Sequence, residues 1–60
     1  MFGRVTSDKS GKTYQFEYCK AESIVYLQMP NGSWLGVGTH VRGYVDAKSI
    51  AQHYVDTQGL

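Results

Sequence analysis

The dipeptide Asn31-Gly32, inside the stretch "MPNGSWLGVG" at residues 29–38, limits what this chain can fold into more than any other feature. A type I′ turn needs positive φ at both central residues, and Asn-Gly tolerates this well, so the pair predicts a two-residue hairpin. The turn then dictates register. Met29 pairs with Trp34, Leu27 with Gly36 and Val25 with Gly38 on one face; Gln28 pairs with Leu35, Tyr26 with Val37 and Ile24 with Thr39 on the other.

Two further turns can be read independently. "TSDKSGKT" fits a four-residue loop from Asp8 to Gly11, placing Val5 opposite Tyr14 and Gly3 opposite Phe16. "YCKAESIV" turns through Lys20 to Ser23, pairing Tyr18 with Val25, Phe16 with Leu27 and Tyr14 with Met29. Together the three turns gather Met1, Val5, Tyr14, Phe16, Tyr18, Val25, Leu27, Met29 and Trp34 on one face of a meander. A one-residue slip at any turn would scatter that set. The strands are expected at about residues 2–7, 13–19, 24–30 and 33–40.

In "YVDAKSIAQHYVDTQGL" the period changes. Ala47, Ile50, Ala51, Tyr54 and Val55 recur at helical spacing, Asp46 suits an N-cap and Gly59 a C-terminal stop, which predicts a helix over about 47–58. The expected fold is α+β: a four-stranded antiparallel β-meander, order 1-2-3-4, with one C-terminal α-helix packed on one face, as a single domain over 1–60. Gly36 and Gly38 then fall on the covered face, where absent side chains leave room for the helix or for the Trp34 indole. On that register Gly36→Val overpacks the core at a cost of about 1–3 kcal/mol. The same glycines also suit a bulge or bend.

Size and charge bound the function. Sixty residues allow only a thin, two-layer structure, with a 13% aromatic share supplying most of the buried area. A net charge of +1 gives no strong field for phosphate or an anionic membrane. Cys19 stands alone, which excludes an internal disulfide and fits a reducing compartment. No apolar run approaches the roughly 20 residues that cross a bilayer, and the N-terminus lacks a signal-peptide core. The expectation is a cytoplasmic protein without a membrane segment.

The predicted register leaves a second face, with Phe2, Arg4, Thr6, Thr13, Gln15 and Glu17 on its first two strands. Its last two strands present Ile24, Tyr26, Leu35 and Val37, flanked by Gln28 and Thr39. One short helix cannot cover both faces, and an exposed apolar group of this size marks an interaction surface. The expected function is a small protein-binding module with contacts at Ile24, Tyr26, Gln28, Leu35 and Val37, and with Arg4 adding polar specificity. Its partner is a second copy, in a homodimer, or a larger protein that it regulates or inhibits; the size suits a phage or mobile-element product. The fourth strand is an open edge able to pair with another chain. In the competing reading the C-terminal tail or "THVRGY" folds back over these residues.

The rival function is sheet-based nucleic-acid binding through Arg4 and Gln15, with Lys9, Lys12 and Lys20 in the flanking loops and Tyr26 available to stack on an unpaired base. Glu17 in the middle of that surface opposes it. Catalysis finds little support. Cys19, His40 and His53 are scattered, no His or Cys has metal-ligand spacing, and the carboxylates have local uses in turns, surface solvation and capping. "GSWLGVG" lacks the ending and context of a phosphate loop. No cofactor, metal or small-molecule substrate is therefore expected. "THVRGYVD", residues 39–46, reads either as a recognition loop or as a crossover that packs Tyr44 on the sheet rim.

Overall fold

A computed structural model describes residues 1–60. Its elements are β1 (Phe2–Thr6), β2 (Thr13–Cys19), β3 (Ile24–Gln28), β4 (Trp34–Gly38) and α1 (Tyr44–Thr57). The strands form one antiparallel sheet of order β1-β2-β3-β4, and α1 packs across one face of it.

The first two hairpins have the register that alternation dictates. Val5 pairs with Tyr14 and Gly3 with Phe16, then Phe16 with Leu27 and Tyr18 with Val25. Val5, Tyr14, Phe16, Tyr18, Val25 and Leu27 are accordingly buried under the helix, where they meet Ala47, Ala51 and Val55. Burial of a large apolar side chain stabilises the fold by about 1.5–3 kcal/mol, so these few residues hold most of it together. The alanines set the closeness of approach.

Gly3 is required for the same reason. A Cβ there would overlap the Tyr44 hydroxyl and sit 2.5 Å from a Phe16 ring carbon. The Tyr44 ring lies tilted on Phe16, centroids 5.5 Å apart, which makes residues 39–46 a crossover with Tyr44 packed on the sheet.

The helix begins three residues earlier than its apolar period suggests, at Tyr44, with Gly43 rather than Asp46 at the N-cap. Asp46 instead reaches back from the first turn to accept the Arg42 N–H at 3.1 Å, satisfying a backbone donor just before the helix. At the other end Gly59 takes φ +73°, and the Leu60 N–H donates to the Val55 carbonyl at 3.1 Å, the long bond of a Schellman stop. The Leu60 carbonyl oxygen accepts from the Ser10 and Tyr14 hydroxyls at 2.6 and 2.8 Å. The β1-β2 loop is further tied to the helix where the Asp56 carboxylate accepts the Asp8 N–H at 3.0 Å.

The last hairpin departs from expectation. A two-residue Asn31-Gly32 turn would be closed by Pro30 and Ser33 exchanging two hydrogen bonds, and proline has no N–H to give. The chain closes one residue earlier. The Met29 N–H donates to the Ser33 carbonyl at 2.7 Å, and the Met29 carbonyl accepts the Gly32 N–H at 2.8 Å. Pro30 and Asn31 lie inside the turn, and Gly32 takes φ +90°. This is the three-residue hairpin loop with its glycine bulge.

Every pair near the turn shifts by one: Gln28 pairs with Trp34, Leu27 with Leu35 and Tyr26 with Gly36. A bulge with Val37 as the extra residue then restores the expected pairing of Val25 with Gly38. The bulge reading of the glycine-rich strand is thus correct for its position, and the covered-face reading is correct for Gly38 alone. A Cβ on Gly38 would lie 2.7 Å from Cγ2 of Ile50 in the helix. Gly36 faces the other way, where a Cβ would meet only the Tyr26 ring at 3.7 Å, so the overpacking expected of Gly36→Val does not arise against the helix.

Three side chains of the expected core are displaced. Trp34 moves to the uncovered face, Met29 is only half-buried, and Met1, although paired with Tyr18, lies beyond the helix and is 65% exposed.

Candidate functional site: the uncovered sheet face

Pairing places Phe2, Glu17, Tyr26 and Gly36 in one row across the uncovered face. Arg4 beside Gln15, and Gln28 beside Trp34, form the next row. Phe2 stands on one edge strand and Trp34 on the other, yet their ring centroids are 6.1 Å apart in an edge-to-face contact. The two rings therefore reach toward each other over β2 and β3.

Both rings remain accessible, Phe2 at 58% and Trp34 at 41%. Between and beside them lie the half-buried Glu17, Tyr26, Gln28 and Ile24. Gly36 leaves the Tyr26 ring free on its β4 side. The result is a shallow aromatic surface with polar groups at its margin.

Those polar groups have defined partners. The Tyr26 hydroxyl donates to the Glu22 carboxylate at 2.9 Å, which holds the phenol proton and raises its pKa, with desolvation adding to the effect. Gln28 Nε2 donates to the Gly32 carbonyl at 3.3 Å, which leaves its amide oxygen without an intramolecular hydrogen bond. Thr6 and Thr13 share a hydroxyl contact of 3.0 Å at the corner. Surfaces with rigid rings, a free amide acceptor and few charges suit burial of another chain's apolar side chains.

Of the expected partner-binding residues, Ile24, Tyr26 and Gln28 lie on this face. Leu35 and Val37 do not. Leu35 shares the face of its buried partner Leu27 and is 44% exposed beyond the helix, while Val37 packs against the core. The register shift explains both, and Trp34 takes their place. The signal that could have located Trp34 was Pro30, whose missing N–H excludes the two-residue turn.

The expected nucleic-acid set is divided. Arg4 and Gln15 are cross-strand neighbours on the uncovered face. Lys9 and Lys12 stand in the β1-β2 loop at one end of the sheet, and Lys20 in the β2-β3 turn at the other. No hydrogen bond joins Cys19, His40 and His53 to one another; they occupy the end of β2, an exposed position in the β4-α1 connection and the solvent side of α1. No three His, Cys, Asp or Glu side chains converge on a common point, and no helix is long and apolar enough to cross a membrane.

Comparison with known proteins finds no family model, no curated protein and no solved structure that matches this chain.

Proposed function

We propose that the chain is a small noncatalytic binding module that receives a partner protein on the uncovered sheet face and acts as its regulator. The observation that carries this reading is the pair of exposed rings, Phe2 and Trp34, meeting across a sheet whose single helix covers the opposite side. Ile24, Tyr26 and Gln28 line the same surface, and Arg4 supplies a charge at its edge.

A photo-crosslinking residue at Gln28 tests the proposal in cells. A protein adduct is expected from that position, absent when the crosslinker is at Lys48 on the helix and lost on Trp34→Lys in a chain that stays folded. No adduct at Gln28, or one indifferent to Trp34→Lys, would refute it.

A second reading rests on Arg4 standing in the same surface as three aromatic rings, an arrangement also used on unpaired bases. Trp34 is the only tryptophan, so its fluorescence reports directly from the face. Quenching by a single-stranded oligonucleotide that weakens steeply with salt and disappears on Arg4→Ala would favour this reading over a protein partner.

A further inference from the structure

The two free edges of the sheet are treated differently. In an antiparallel ladder the N–H and C=O of successive residues point alternately to the two neighbouring strands. Met1 and Tyr18 exchange backbone hydrogen bonds, so the outward groups of β1 belong to Phe2, Arg4 and Thr6. Two of those carbonyls are already occupied: Phe2 accepts from the Tyr44 hydroxyl at 3.4 Å and Thr6 from Gln52 Nε2 at 2.7 Å. Arg4 adds a charge. This edge is guarded.

The β4 edge has no such guard. The Met29 N–H to Ser33 carbonyl bond fixes the phase of the last hairpin, so Leu35 bonds inward to Leu27, and Trp34 and Gly36 aim their backbone groups away from the sheet. No side chain hydrogen-bonds to either residue. No Asp, Glu, Lys or Arg occurs between Glu22 and Arg42, so no charge lines this edge. Gly36 itself is unexplained within one chain: its φ is not positive, and a Cβ would meet only ordinary contact distances.

We infer that β4 pairs antiparallel with β4 of a second copy about a two-fold axis through Leu35, joining two sheets into one of eight strands. This register alone uses all the outward groups before the bulge at Val37. Trp34 of each copy exchanges two hydrogen bonds with Gly36 of the other; because the Trp34 indole leans inward over its own sheet toward Phe2 and Gly36 has no side chain, nothing on the uncovered side of the seam obstructs the approaching strand. Leu35 meets Leu35 in the close, non-hydrogen-bonded pair, burying two side chains that are 44% exposed in the single chain. A two-fold brings each group near its own copy, so an uncharged edge fits a second identical chain, whereas a different partner would invite complementary charge. The pairing uses the edge and not the uncovered face, so it stands or falls separately from the proposed function.

Light scattering over a range of concentrations is the test. The wild type should reach twice the chain mass, and Leu35→Lys and Leu35→Glu should each remain monomeric while a 1:1 mixture of the two recovers the doubled mass. In a Cys19→Ser background, Leu35→Cys should form a disulfide-linked dimer on mild oxidation, and Ser33→Cys should not. The cysteine pair decides the matter should the charged variants lose their fold by circular dichroism. A wild type that stays monomeric throughout, a folded Leu35→Lys that stays dimeric, or equal crosslinking at positions 33 and 35 would overturn the inference.

Discussion

Gly36 and Gly38 are two residues apart in sequence and should respond oppositely to the same substitution. A Cβ on Gly38 would sit 2.7 Å from Ile50 Cγ2 and 3.1 Å from Val25 Cγ1, both in the packed layer between sheet and helix. Relief requires the Ile50 methyl to retreat by about 1 Å to reach ordinary carbon contact, and strain of this kind costs about 1–3 kcal/mol. Against this, replacing glycine in a strand recovers about 0.5–1 kcal/mol of backbone entropy, leaving Gly38→Ala destabilised by roughly 1–2 kcal/mol. At Gly36 the same Cβ would rest 3.7 Å from the Tyr26 ring, an ordinary contact. Only the entropic gain remains, so Gly36→Ala should be stabilised by about 0.4–1 kcal/mol. Urea unfolding at one fixed low chain concentration measures both. The separation of about 2 kcal/mol should appear as a difference in midpoint of about 1–2 M at unchanged slope. Equal midpoints, or a greater loss at Gly36, would refute the register and the bulge together.

Gly3→Ala should be more damaging than either, because the new methyl must displace both the Tyr44 hydroxyl and the Phe16 ring; a loss above about 3 kcal/mol is expected by chemical denaturation, and a near-neutral result would contradict the Tyr44 packing. The Asp56 carboxyl is held below the usual carboxylate range, first by the Asp8 N–H and then by the Gln52 amide, with nearby positive charge assisting. The folded chain therefore releases this proton more readily than the unfolded one, so the stabilisation is present above the ordinary carboxylate pKa and is lost as pH falls through the lowered folded value. Thermal melting should show wild-type Tm falling more steeply than that of Asp56→Asn below about pH 4, and parallel curves would contradict the assignment.

Most of the fold was legible because independent signals agreed. The register of the first two hairpins follows from loops whose ends alternate correctly, and the helix from Ala47, Ile50, Ala51, Tyr54 and Val55. The helix start is obscured because the exposed Val45 interrupts the apolar pattern and Asp46 has the chemistry of an N-cap, although Tyr44, three residues before Ala47, continues the buried stripe onto Phe16. The uncovered face was half legible. Ile24, Tyr26 and Gln28 were found from β3, whose register with β2 was secure. Leu35, Val37 and Trp34 lie on the faces opposite to expectation because Pro30's missing donor, and not the tolerance of Asn31-Gly32 for positive φ, decides the turn. The pairing of Gly3 with Phe16 is legible, but the need for glycine there is not, because part of the constraint comes from Tyr44, distant in sequence.

The account turns on which side of the sheet Trp34 occupies. Nuclear Overhauser contacts of the indole protons in a labelled sample decide this directly. Contacts to the Phe2 ring, with none to Ile50 or Tyr54, are the predicted result. Contacts from the indole to the helix, with Leu35 and Val37 taking its place beside Tyr26, would show the two-residue turn and contradict the face described above.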